Sequence, residues 1–158
     1  MGVEGWSDFF VAVAGASAAL AGLIIVAMSV NIETIVTSPA LPARAAATIA
    51  VLMLVVLVAV LALVPAVPSA VAGWGIVVLA AATLAITADT TVRELRDRLG
   101  QGILKSAVLV VPALAFLVGG IMLAATIPNG VYLVALGTIL AFAGGVLNAW
   151  VLLVEVRR

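Results

Sequence analysis

Apolar residues run through the chain in five long blocks, separated by short polar or proline-containing segments. A helix needs about 20 apolar residues to cross the hydrocarbon core of a bilayer, and each block meets that length. The blocks extend from about Phe9 to Val30, Ala45 to Val64, Ala70 to Ala88, Ser106 to Ile127 and Val131 to Val154. The expected fold is therefore all-α, a single integral-membrane bundle of five transmembrane helices over residues 1–158. Ser7 and Asp8 are N-cap residues for the first span; Asn31 and Glu33 bring its end to the interface, and a loop with Pro39 and Pro42 follows. Pro65 and Pro68 stop the second span, and Pro128, Asn129 and Gly130 make a tight turn before the fifth. A re-entrant hairpin formed by the second and third blocks would leave four spans, but each block is long enough to cross alone.

The one sizeable polar segment runs from Asp89 to Gln101, within a connector over 89–105. Val92, Leu95 and Leu99 share a helical face, and Thr91 with Glu94 has capping-box spacing. Glu94 with Arg98 and Arg93 with Asp97 are i,i+4 pairs. The segment reads as a short cytosolic helix, or an extension of the third span, ended at Gly100 and Gly102. Its charges largely cancel, which makes it a solvated connector rather than a patch for anionic lipid.

Composition supports the membrane reading. Hydrophobic residues make up 66% of the chain and charged residues 9%, against roughly a quarter charged in soluble domains. Seven acids and seven bases give zero formal charge, so no nucleic-acid partner is expected. With no Cys and no His, disulfides, thiol catalysis and the commonest general base and metal ligand are excluded. The first eight residues carry Glu4 and Asp8 without a base, so the first block reads as a retained anchor rather than a signal peptide. Trp6 stands where a myristoylation signal needs Ser or Thr.

The basic residues give an orientation. Arg44 follows the first span; Arg93, Arg96, Arg98 and Lys105 lie between the third and fourth; Arg157 and Arg158 end the chain. Five spans put all seven on one side, expected to be cytosolic, with the N-terminus outside. Trp6, Trp74 and Tyr132 would mark the outer interface and Trp150 the inner one.

The first span holds the most order. Gly15, Gly22 and Ser29 are spaced by seven, with Ala12, Ala19 and Val26 on the same side. Asp8 extends the series outward and Glu33 lies one turn after Ser29, so a straight helix would present small residues with a carboxylate at each end. Such a stripe serves close helix packing, or lines a pore whose mouths carry rings of Asp8 and Glu33. In the fifth span Gly137, Ala141 and Gly145 are spaced by four, and Asn148 follows Gly144 by four. An amide at that depth needs a protein partner, either a single interhelical hydrogen bond or a contact to an ion or substrate. The fourth span has Ala115, Gly119, Gly120 and Ala124, with Pro112 as a tolerated kink.

No Lys, Arg, Asp or Glu lies near the middle of any span. Proton-coupled transporters and voltage sensors place ionisable groups there, and an enzyme needs an acid, base, nucleophile or metal in a cleft. No catalytic residue, metal site or cofactor is therefore expected. Gly73-Trp74-Gly75 is no dinucleotide fingerprint, because Val78 stands where the third glycine belongs. Five spans do not divide into the two halves of an inverted-repeat transporter.

The run from Phe9 to Leu23, continuing Val26-Ala27-Met28-Ser29-Val30-Asn31, resembles the first helix of small uncharacterised multi-pass membrane proteins of actinobacteria. The segment Asn148-Ala149-Trp150-Val151-Leu152-Leu153-Val154-Glu155 is similar to their last helix. The resemblance implies a bacterial plasma membrane and carries over no functional residue. Two functions follow as expectations. One is a homo-oligomeric pore or channel with the first helix on the axis. The other is a non-catalytic scaffold or regulatory subunit binding other membrane proteins. Membrane lipid is a partner in both.

Overall fold

A computed structural model describes residues 3–30, 32–37, 41–97 and 101–155. A short 3-10 turn at Val3–Trp6 leads into α1 (Ser7–Val30), followed by α2 (Ile32–Thr37), α3 (Leu41–Leu63), α4 (Ser69–Asp97), α5 (Gln101–Ala124) and α6 (Gly130–Glu155). Five of these helices are long and apolar enough to cross a membrane, which gives the chain the build of a multi-pass membrane protein. Their apolar stretches of 18 to 24 residues correspond to about 27–36 Å at 1.5 Å per residue.

The expected boundaries shift in four places. Pro42 falls inside the first turn of α3 instead of in a loop, a position where its missing N–H costs nothing. The segment after α1 contains the additional short helix α2. The polar connector is divided between its neighbours: α4 runs on to Asp97 and α5 begins at Gln101, so Gly102 is helical and ends nothing. The fourth span's helix ends at Ala124 rather than Ile127. Expectations placed on Asn31, Pro39, Arg98, Leu99, Gly100, Arg157 and Arg158 lie outside the described residues, as do the side chains of Arg93, Glu94 and Asp97.

Local chemistry ends the helices. Val64 precedes Pro65, which disfavours a helical backbone there, and α3 closes with Ala66 in the left-handed region at φ 59°. At the end of α5 the Thr126 N–H donates to the Leu123 carbonyl at 3.0 Å, and the Ile127 N–H to the Met122 carbonyl at 2.8 Å. This is a Schellman closure with Thr126 at φ 59°, where glycine is usual.

α3 is the hub, packing against α1, α4, α5 and α6. Val51, Leu54, Val55, Val58 and Ala59 of α3 join Ile76 and Ala80 of α4, Ala113 and Phe116 of α5, and Val134 and Ala141 of α6 in one core. Glycines set the closest crossings. A Cβ on Gly73 would meet the backbone of Ala124 and lie 2.8 Å from the Gly120 carbonyl, so α4 and α5 touch main chain to main chain. On α6, Gly130, Gly137 and Gly144 are spaced by seven and all face α5: Cβ atoms there would lie 2.6 Å from the Gly119 carbonyl, 3.1 Å from the Phe116 ring and 3.0 Å from the Val108 carbonyl. Pro112 has no N–H to offer that last carbonyl. Gly144 brings a Cα–H against it, a weak donor that recurs at helix contacts.

Candidate functional site

The stripe of α1 that repeats every seven residues faces away from the rest of the described chain. Its inner side buries Phe10, Val13, Ser17, Ala21 and Ile24. Ala12, Gly15, Ala19, Gly22, Val26 and Ser29 are exposed and alternate by three and four, the spacing of a heptad seam. At 100° per residue the two stripes lie on opposite sides of the helix. A Cβ on Gly15 or Gly22 would meet nothing within 4 Å. Ser29 donates its hydroxyl to the Ile25 carbonyl at 2.9 Å. Over the apolar stretches, 28% of residues are buried in the first span and 44% in the second and fifth, so α1 is the least enclosed helix.

The two carboxylates expected at the stripe's ends are both exposed. Asp8 stands in the first turn of α1. Glu33 does not continue the stripe on one straight helix: α1 ends at Val30 and Glu33 belongs to α2.

Asn148 is 2% exposed and forms more than the single hydrogen bond expected of it. An Nη of Arg44 donates to its Oδ1 at 2.8 Å, its Nδ2 donates to Thr48 Oγ1 at 3.1 Å, and Thr48 Oγ1 donates to the Arg44 carbonyl at 2.9 Å. Proton counting fixes the amide's orientation. The Thr48 hydroxyl has one proton and gives it to Arg44, so it can only accept from Asn148. The amide nitrogen must face Thr48, and the oxygen is left for the guanidinium. The chain of bonds begins and ends on Arg44 and ties the start of α3 to the end of α6. Gly145, three residues before Asn148, brings α6 close to Leu52 and Leu20, which a Cβ there would meet at 3.3 and 3.4 Å. Ala21, Ile24 and Leu52, packed against Ile49, Met53, Phe142 and Ala149, form an apolar cluster shared by α1, α3 and α6.

Arg44 was legible in the sequence only as one of the basic residues that mark an interface. Its real partner is 104 residues away. One signal was present: Arg44 and Asn148 stand at the same depth of spans that end on the same side, and a buried amide calls for a strong partner. The other buried hydroxyls are satisfied locally, with Ser17, Thr83 and Thr138 donating to the carbonyls of Val13, Leu79 and Val134.

Replacing Asn148 with alanine leaves a guanidinium N–H without its acceptor, while the Thr48 hydroxyl keeps its bond to the Arg44 carbonyl and loses only the one it accepts. Hydrogen bonds to charged groups contribute about 1.5–3 kcal/mol, so a loss near 2 kcal/mol is expected in detergent unfolding titrations. Leu147→Ala, at a residue 59% exposed, should change stability by less than about 0.5 kcal/mol. Equal losses for the two variants would show that the network contributes nothing.

The opposite end carries an aromatic cluster. The Trp6 ring meets Tyr132 edge-on at 5.2 Å and Phe9 at 5.5 Å, which joins the start of α1 to the start of α6. Trp74 is exposed in the second turn of α4 and Tyr132 in the first turn of α6, and Trp150 is exposed near the other end of α6, as aromatic belts require. An open groove between α5 and α6, lined by Val108, Val111, Pro112, Leu140, Ala143 and Leu147, offers only apolar surface. Among the described residues no group of three or more acidic side chains gathers as a metal site. Compared with known proteins, the chain matches no family model, no curated sequence and no solved structure.

Proposed function

We propose that the chain is a non-catalytic multi-pass membrane protein that self-assembles through the outward face of α1, with that helix around the symmetry axis of a cyclic homo-oligomer. The carrying observation is the free stripe Ala12, Gly15, Ala19, Gly22, Val26, Ser29. Gly73, Gly75, Gly119, Gly120, Gly130, Gly137, Gly144 and Gly145 of α4, α5 and α6 meet neighbours inside the chain, whereas this heptad seam has no intramolecular partner among the described residues. In lipid, small-residue seams associate because backbones approach closely, and closed symmetry satisfies every copy alike. The resemblance to actinobacterial proteins supports a bacterial plasma membrane. The sorting of the basic residues supports a cytosolic Arg44 end and an external Trp6. Cysteines placed at Trp6 and Arg96 read that orientation: an impermeant thiol reagent should label only the first on intact cells, and labelling of the second would reverse it.

Two forms of the assembly differ at the axis. Phe116, Leu52, Leu54, Val55, Val58 and Val134 fill the described interior, so a conducting path belongs between copies. Exposed Asp8 and Glu33 would then form rings that draw cations. The scaffold or regulatory-subunit reading is favoured by the dryness of the seam, whose one hydroxyl, on Ser29, already donates to Ile25. Planar bilayers with asymmetric KCl separate them. A pore gives a cation-selective reversal potential that Glu33→Gln moves toward zero. Current indistinguishable from background across voltage leaves the scaffold.

A further inference from the structure

We infer that the outward seam of α1 docks in a vacant helix slot on α3 of the next copy, between that copy's own α1 and α4, and so joins the copies head to tail. This rests on the self-association proposed above and names the surface that receives the seam. α3 is the hub of the bundle, yet one face of it is open. Leu57, Val60 and Val64 are 47%, 51% and 47% exposed; Ala46 is exposed, and Ala50 and Met53 are half-buried. At 100° per residue these six fall within an arc of about 80°. To one side of the arc, Leu52 and Ile49 pack in the cluster that holds Ala21 and Ile24 of α1. To the other side lies Leu61, whose δ-methyl a Cβ on Gly75 of α4 would strike. Among the described residues α1 and α4 do not pack along each other. Helices about 8–10 Å from a central one subtend about 60° each, so the open arc is one helix wide.

A second copy's α1 fits this slot. A cyclic ring of more than two copies needs a heterologous contact, in which the seam meets a different surface of its neighbour. α1 and α3 are consecutive spans and run in opposite directions, so in copies of one orientation the seam lies antiparallel to the slot. Gly15 is about 12 Å from the start of α1 and Leu57 about 9 Å from the end of α3, at 1.5 Å per residue. Pairing them puts Ala12 opposite Val60, Ala19 opposite Met53, Gly22 opposite Ala50 and Val26 opposite Ala46. Every large side chain in these pairs meets Gly or Ala, which lets the two backbones approach as close packing in lipid requires. The outward faces of α4 and α6 carry the exposed rings of Trp74, Tyr132 and Trp150 instead, which suit the lipid interface.

Cysteine crosslinking in membranes carrying the full chain tests the pairing, and the chain has no native Cys to interfere. A disulfide needs Cβ atoms within about 4.5 Å, so only residues that face each other link efficiently. The double variant Gly15→Cys with Leu57→Cys is expected to shift, on mild oxidation, from a single band to a ladder of linked copies. Both positions are exposed in the single chain, so folding is preserved. Gly15→Cys alone should stay a single band. So should Gly15→Cys with Val118→Cys, which places the second thiol on the exposed face of α5, six residues from its helix end as Leu57 is. Dimers from Gly15→Cys alone would show the seam meeting itself, which keeps self-association and removes the slot. An equal ladder from the Val118 pair, or none from the Leu57 pair while light scattering shows wild type as an oligomer, also overturns the slot. Wild type that scatters as a single copy overturns the self-association beneath it.

Discussion

Replacing Gly73 with alanine is expected to destabilise the bundle by about 3 kcal/mol, the upper part of the range for overpacking a tight interior. The new Cβ would run into the backbone of Ala124, with the Gly120 carbonyl 2.8 Å away. Neither obstacle can rotate aside, so α4 and α5 must separate over their Trp74-end crossing. Gly75→Ala is the matched comparison: its Cβ would meet a δ-methyl of Leu61, a side chain that changes rotamer, and a cost below about 1 kcal/mol is expected. Thermal melts of both variants in the same micelle measure the difference. Equal stability of the two would show that α4 and α5 are not in main-chain contact.

Gly22→Leu is expected to abolish self-assembly while leaving the single chain folded. Gly22 is exposed, and a Cβ there meets nothing within the chain, so the monomer should change by less than about 0.5 kcal/mol. In an assembly joined through the α1 seam, a leucine at its middle holds the helices apart and removes the close packing that drives association in lipid. Light scattering in mild detergent should fall from a multiple of the 15.9 kDa chain to one copy. Gly145→Leu should do the reverse, breaking the contact of α6 with Leu52 and Leu20 and unfolding the chain. An oligomer of unchanged mass in Gly22→Leu would remove α1 from the interface and with it the proposed axis.

The number, type and approximate limits of the long helices were set by sequence alone. Five apolar blocks with proline punctuation leave a membrane chain little choice, because lipid offers no partner for free backbone groups. Pro65, Pro68 and Pro128 act within one turn of themselves, so their effect is local and readable. The seven-residue series of α1 was readable for the same reason, since 3.6-residue periodicity places its members on one face. Which of two similar glycine patterns is already occupied was not readable. Gly130, Gly137 and Gly144 repeat by seven as Gly15 and Gly22 do, yet the first set lies against α5 and the second against nothing in the chain. Spacing specifies a face; only the packing of helices distant in sequence decides what that face meets. Arg44 shows the same limit. Its charge and its place at the end of a span are sequence properties, but its bond to Asn148 exists because α3 and α6 pack side by side in the folded bundle.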